Sequence, residues 1–111
     1  MAVQRWDEDT LVVRLGCDPE LSDDLAEIEA TLSGVCCDVV LDLSDLTLLT
    51  SAGLARLLKV RKRLHAGGRR LILCSAQDPV WGIFITTGLD HFFDFAKTIS
   101  EALALLQAGN R

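Results

Sequence analysis

The run Val39-Val40-Leu41-Asp42-Leu43 constrains the fold more than any other part of this 111-residue chain. A strand with one wet face alternates apolar and polar residues, whereas a strand without alternation is covered on both faces. This run therefore belongs in the middle of a sheet with helices packed on it. The next segment agrees. From Ser51 onward, Leu54, Leu57, Leu58 and Leu64 recur at helical spacing, while Arg56, Lys59, Lys62 and Arg63 lie mostly on the other side. Gly67-Gly68 ends that helix. Leu71-Ile72-Leu73-Cys74 is then a second apolar strand, and a strand–helix–strand crossover makes the two strands parallel neighbours.

The flanks extend the same pattern. Leu11 to Leu15 reads as a strand, and Asp7-Glu8-Asp9 turns residues Val3 to Trp6 back onto it as a hairpin. Ser22 is a suitable N-cap for a helix that buries Leu21, Leu25, Ile28 and Leu32. Pro79 suits the first turn of a short helix reaching Thr87 and closed by Gly88. Phe92-Phe93-Asp94-Phe95 offers a last short strand. Thr98 and Glu101 form a capping box for a terminal helix with Ile99, Ala102, Leu103 and Leu106 facing inward. The expected fold class is α/β: a small open mixed sheet of four to five strands with helices largely on one face, in a single domain over 1–111.

Sixteen acidic residues against eleven basic ones give a net charge of −5, which argues against non-specific nucleic-acid binding. No run of apolar residues is long enough to cross a membrane, and residues 1–10 lack the apolar core of a signal peptide. A cytoplasmic location is expected. Lys59, Arg61, Lys62, Arg63, Arg69 and Arg70 concentrate on one helix and the turn after it, as a solvated face or a charged docking surface. Cys17, Cys36, Cys37 and Cys74 show no metal-binding spacing and read as small core or edge residues.

Little in the chain suggests catalysis. His65 and His91 lie far apart, each near a helix end. Ser51 is not set in the G-x-S-x-G turn that exposes a hydrolase nucleophile. Gly67-Gly68 ends a helix rather than starting one, so it cannot cradle a phosphate as a glycine-rich loop does. No enzymatic activity and no cofactor are expected. Read by its chemistry alone, Thr50 or Ser51 is a helix N-cap, and Gly53 lets the first turn pack closely.

The order of the whole segment from Leu41 to Leu54 adds a further reading. Leu41-Asp42-Leu43-Ser44-Asp45, then Leu46 to Leu49, then Thr50-Ser51-Ala52-Gly53-Leu54 resembles the signature of STAS domains. In that family a strand, a D-L-S turn, apolar residues and D-S-S-G-L at a helix start follow in this sequence. Gly67 to Leu73 resembles the family's glycine-led strand, Thr87-Gly88-Leu89-Asp90 its T/S-G-L turn, and Phe92-Phe93 the apolar pair after it. The likeness runs from about Leu11 to Leu105.

The resemblance implies an anti-sigma factor antagonist. Its partner would be a serine-kinase-type anti-sigma factor, and phosphorylation would release that partner. By motif position Ser51 matches the phosphoacceptor, while Thr50 replaces the family's aspartate and Ala52 its second serine. The expected partner surface comprises Ser44, Asp45, Thr50, Ser51, Ala52 and Gly53. Asp18 and Glu20, in a loop that loosely resembles the family's acidic G-E-L-D, join it at the rim. Two other readings remain. One is a scaffold subunit of a stress-signalling or lipid-transport complex, in which Ser51 goes unmodified. The other is a small-molecule-binding STAS domain with a pocket under the helix that begins at Ser51.

Overall fold

The computed structural model describes residues 2–7, 10–15 and 37–109. The helix expected over Leu21–Leu32, Cys17, Cys36 and the acidic loop residues Asp18 and Glu20 lie outside them.

Five strands form one sheet in chain order: β1 (Ala2–Asp7), β2 (Thr10–Arg14), β3 (Asp38–Asp42), β4 (Leu71–Cys74) and β5 (Asp94–Ala96). β1 is antiparallel to β2, and every later pairing is parallel. Three helices are described: α1 (Ser51–Ala66), α2 (Asp78–Thr87) and α3 (Ile99–Gly109). The expected adjacency of the Val39 and Leu71 strands holds, with Val39 opposite Leu71 and Leu41 opposite Leu73. The mixed α/β sheet is as the apolar runs require.

Residue parity sorts the core into two faces. Leu11, Val13, Val39, Leu41, Leu71 and Leu73 point to one side, where they meet Leu54, Leu57, Val60 and Leu64 of α1 and Val80 and Phe84 of α2. Val12, Val40, Ile72 and Cys74 point to the other, where they meet Ala102, Leu103 and Leu106 of α3. The side-chain period of a strand is two, so both sets come from the same short runs. Crossovers of one hand that always step the same way along a sheet stay on one face, which places α1 and α2 together. Two of the three described helices thus share a face, while α3 follows the last strand and covers the opposite one.

The helix ends obey their local chemistry. Gly88 adopts φ 76°, the left-handed conformation that closes α2, and its amide donates to the Ile85 and Phe84 carbonyls. Thr98 caps α3 by accepting from the Glu101 amide at 3.1 Å. The last strand differs from expectation. It begins at Asp94, and Phe92 and Phe93 precede it in the turn after a short 3-10 helix, Leu89–His91. Phe93 is drawn into the core against Phe84, with ring centroids 5.5 Å apart, and so cannot continue the ladder.

Candidate functional site

In an open parallel sheet, loops leaving the carboxyl ends of the strands form the usual binding edge. The chain leaves β3 at that edge, runs through residues 43–50 and turns back as α1. This connection carries the expected site.

Its first part is a pinned turn. Asp42 is buried at the end of β3, 3% exposed, and its Oδ1 accepts from the Ser44 amide at 2.9 Å. Its Oδ2 faces Arg14 Nε at 3.4 Å, and the same guanidinium reaches Asp45 at 3.9 Å. The Ser44 carbonyl accepts from the Gln77 side chain, which ties this turn to the loop after β4. Arg14 and Gln77 were not marked by the sequence pattern, which picked out Asp42 only as the start of the D-L-S turn. Asp42 reads as one polar interruption in an apolar strand, and only the fold brings Arg14 and Gln77 to it. Ser44 and Asp45 are both exposed, as the partner-surface reading requires.

The second part is apolar. Leu46 and Leu49 are buried, and between them Leu48 is 62% exposed. A helix or strand period would not single it out, because the segment is neither.

The third part is the start of α1. Thr50 is the N-cap: its backbone is extended, its Oγ1 accepts from the Gly53 amide at 3.1 Å, and its carbonyl accepts from Leu54 at 2.9 Å. That resolves the choice between Thr50 and Ser51. Ser51 and Ala52 are exposed, whereas Gly53 is buried in the first turn. The amides of Ser51 and Ala52 take no acceptor among the described residues, as the geometry of a helix start dictates. The first turn holds no acidic side chain, so its partial positive charge is uncompensated there. Thr50→Ala is expected to lower stability by about 1 kcal/mol in urea denaturation, and Thr50→Ser to restore most of it. Equal stability of all three proteins would show that the cap contributes nothing.

Of the eight residues expected at the partner surface, six thus lie on one connection at one edge of the sheet. Asp18 and Glu20 fall outside the described residues.

Among the described residues, an apolar cavity of about 450 Å³ lies between the loop after β4 and α3, lined by Ser75, Trp81, Phe95, Lys97 and Glu101, and none of residues 50–54 borders it. Cys37 and Cys74 are buried, in keeping with the core reading of the cysteines. Burial pushes the Cys74 thiol from 9.0 up to about 11, with a smaller push from Asp42 and an opposing hydrogen bond from Ser75. At neutral pH it is therefore a protonated core group rather than a nucleophile. No described helix is long and apolar enough to cross a membrane.

A family model described as the STAS domain matches residues 5–102. Several solved structures share the fold. An anti-sigma-factor antagonist (STAS) domain protein from Planctomyces limnophilus aligns with a TM-score of 0.84 at 18% identity, covering 96% of this chain and 97% of that one. The anti-sigma factor antagonist SpoIIAA in its unphosphorylated form aligns at 0.80 and 20% identity, covering 96% of both chains. SpoIIAA of Bacillus in its phosphorylated form aligns at 0.70 and 21%, covering 93% and 96%. A chain of the stressosome, a signal integration and transduction hub, aligns at 0.79 and 21%, covering 99% of both. At these identities the likeness is one of fold.

Proposed function

This chain belongs to the STAS domain family, and on that premise we propose that it is an anti-sigma factor antagonist. It binds a serine-kinase-type anti-sigma factor through the connection between β3 and α1, and phosphorylation of Ser51 releases it. One observation carries the reading. Ser51 is exposed on the first turn of a capped helix, beside two amides that take no acceptor among the described residues and near the exposed Leu48.

The chemistry supports a switch at this position. A phosphate on Ser51 adds nearly two negative charges and three acceptor oxygens. In the free protein the open amides and the positive end of α1 accommodate it. A partner lying over Leu48 and Ala52 would meet a bulky dianion in a contact that excludes water, and binding would fall. Ala52 suits close approach, since its side chain is a single methyl group, whereas Gly53, expected on the partner surface, is buried and supports the first turn from within. Asp42, Arg14 and Gln77 hold the neighbouring turn in one conformation, so little ordering cost accompanies docking. By the loose likeness of their loop to the family's acidic one, Asp18 and Glu20 are proposed to add contacts to the partner. The protein acts in the cytoplasm, where its kinase partner works.

The test is direct. Mixed with the anti-sigma kinase, the protein is expected to co-elute with it, and amide shifts should concentrate at residues 44–54. Shifts confined to α3 would contradict the proposed surface.

A second reading is favoured by Thr50. Where the family motif has an aspartate, this chain has a residue whose Oγ1 is engaged as the N-cap, and no carboxylate stands beside the acceptor in the motif. The scaffold role, in an assembly of the stressosome kind, follows if Ser51 is never modified.

A further inference from the structure

Three of the basic residues of α1 and the turn after it, Arg61, Arg69 and Arg70, meet at the end of the sheet opposite Ser51. There the last turns of α1, the lead into β4, the Leu89–His91 turn and the start of β5 enclose a cavity of about 160 Å³. Arg61, His65, Arg69, Arg70 and His91 line it, with Asp94 as the acidic member of the lining. On the lining itself three guanidinium groups stand against one carboxylate, and two further carboxylates touch lining residues: Asp90, 3.7 Å from His91 Nε2, and Asp38, whose Oδ1 accepts from the Arg70 amide at 2.9 Å. The two histidines, far apart in sequence, are brought here onto one wall.

The arrangement differs from a row of solvated side chains in that two guanidinium groups are held by main-chain carbonyls. Arg61 donates through Nε to the Phe92 carbonyl and stands 5.9 Å from the centre of the Phe92 ring. Arg70 donates to the Leu105 carbonyl at 3.1 Å and reaches Asp94 only at 3.5 Å. Among the described residues Arg61 has no carboxylate partner, so its charge is positioned without being neutralised. Side chains already ordered lose little freedom when an anion arrives. One influence opposes the site: α1 ends nearby, and a helix C-terminus carries about half a negative charge. Its last carbonyls already accept from the amides of Gly67, Gly68 and Arg69, which leaves less of that charge exposed.

The size of the cavity limits the ligand. It holds the volume of about five waters, enough for a group of four oxygens and too little for a base and sugar as well. We propose that this cavity binds a phosphate group, either as inorganic phosphate or as the end of a small phosphomonoester whose remainder lies outside over the exposed Phe92 ring. This site stands independently of the anti-sigma reading, at the far end of a sixteen-residue helix about 24 Å long.

The experiment is an amide-shift titration of the whole chain with inorganic phosphate, with glycerol phosphate and with chloride at matched ionic strength. Phosphate is expected to give saturable shifts confined to residues 61–71 and 89–94, and chloride to give none. Arg61→Gln should weaken binding by about tenfold or more. Asp94→Asn, by removing the opposing charge, should tighten it several-fold, a result that a merely damaged fold cannot produce. Tighter binding of glycerol phosphate assigns the phosphomonoester, and equal affinity assigns free phosphate. Shifts that chloride reproduces, that fail to saturate or that scatter over the surface would overturn the proposal. So would an Asp94→Asn protein that binds no better than wild type.

Discussion

Ser51→Asp is expected to weaken binding of the anti-sigma partner by about thirty- to a thousandfold. The figure corresponds to about 2–4 kcal/mol, the loss of two charge-assisted contacts or an equal repulsion in a dry interface. A single carboxylate imitates a phosphate only in part, so the true phosphoprotein should lie at the upper end. Ser51→Ala should bind as wild type does and should no longer lose the partner on incubation with kinase and ATP. Because Thr50 caps α1 through its own hydroxyl, a Thr50→Val control must accompany each variant, to separate loss of the cap from loss of the switch. Titration calorimetry and phosphate mapping read both quantities. Equal affinity of wild type and Ser51→Asp, with no phosphate at residue 51, would refute the switch and leave the scaffold reading.

The largest expected loss of stability lies elsewhere. Phe84, on α2, is fully buried. Its ring meets Phe93 edge-on at 5.5 Å and Phe95 at 5.1 Å, and Phe95 in turn meets Trp81 at 4.8 Å. Phe84→Ala removes the centre of this cluster and leaves a cavity, at a cost of about 3–5 kcal/mol. A domain of this size has about 5–15 kcal/mol in all, so thermal unfolding should move down by on the order of 15–25 °C. Ile85, the next residue on the same helix, is exposed. Ile85→Ala should stay within about 0.5 kcal/mol. Similar losses at both positions would mean that α2 is not packed as described.

Much of this was legible from the residues because burial on both faces leaves a plain trace. The runs at Val39 and Leu71 could only be inner strands, and their parity then assigned each side chain to a face. Gly88 and Pro79 marked the ends of α2 for reasons of backbone geometry alone. Phe92 and Phe93 misled, since a β-prone apolar pair reads the same in a strand as in a turn that feeds the core. Val60 was likewise missed on the buried face of α1, where the leucines carried the pattern. The candidate site was legible where it is continuous, over residues 44–54, because its parts follow one another along the chain. It was illegible where it depends on distance: Arg14 and Gln77 reach Asp42 and Ser44 only after the strands are in register. The exposure of Leu48 left no trace, because an irregular segment has no period to break.

β5, only three residues long, borders the sheet. Its outer edge opens with the exposed carboxylate of Asp94 and gives way to an exposed lysine, Lys97. A strand from a second molecule would find too few backbone groups to build a ladder and a charge at the point of approach. Short, charged edges of this kind are how sheets resist edge-to-edge aggregation. The segments with the strongest tendency to self-associate, Val39–Leu43 and Leu71–Cys74, are the ones enclosed in the interior of the sheet. While the sheet is closed, no neighbouring molecule can reach them.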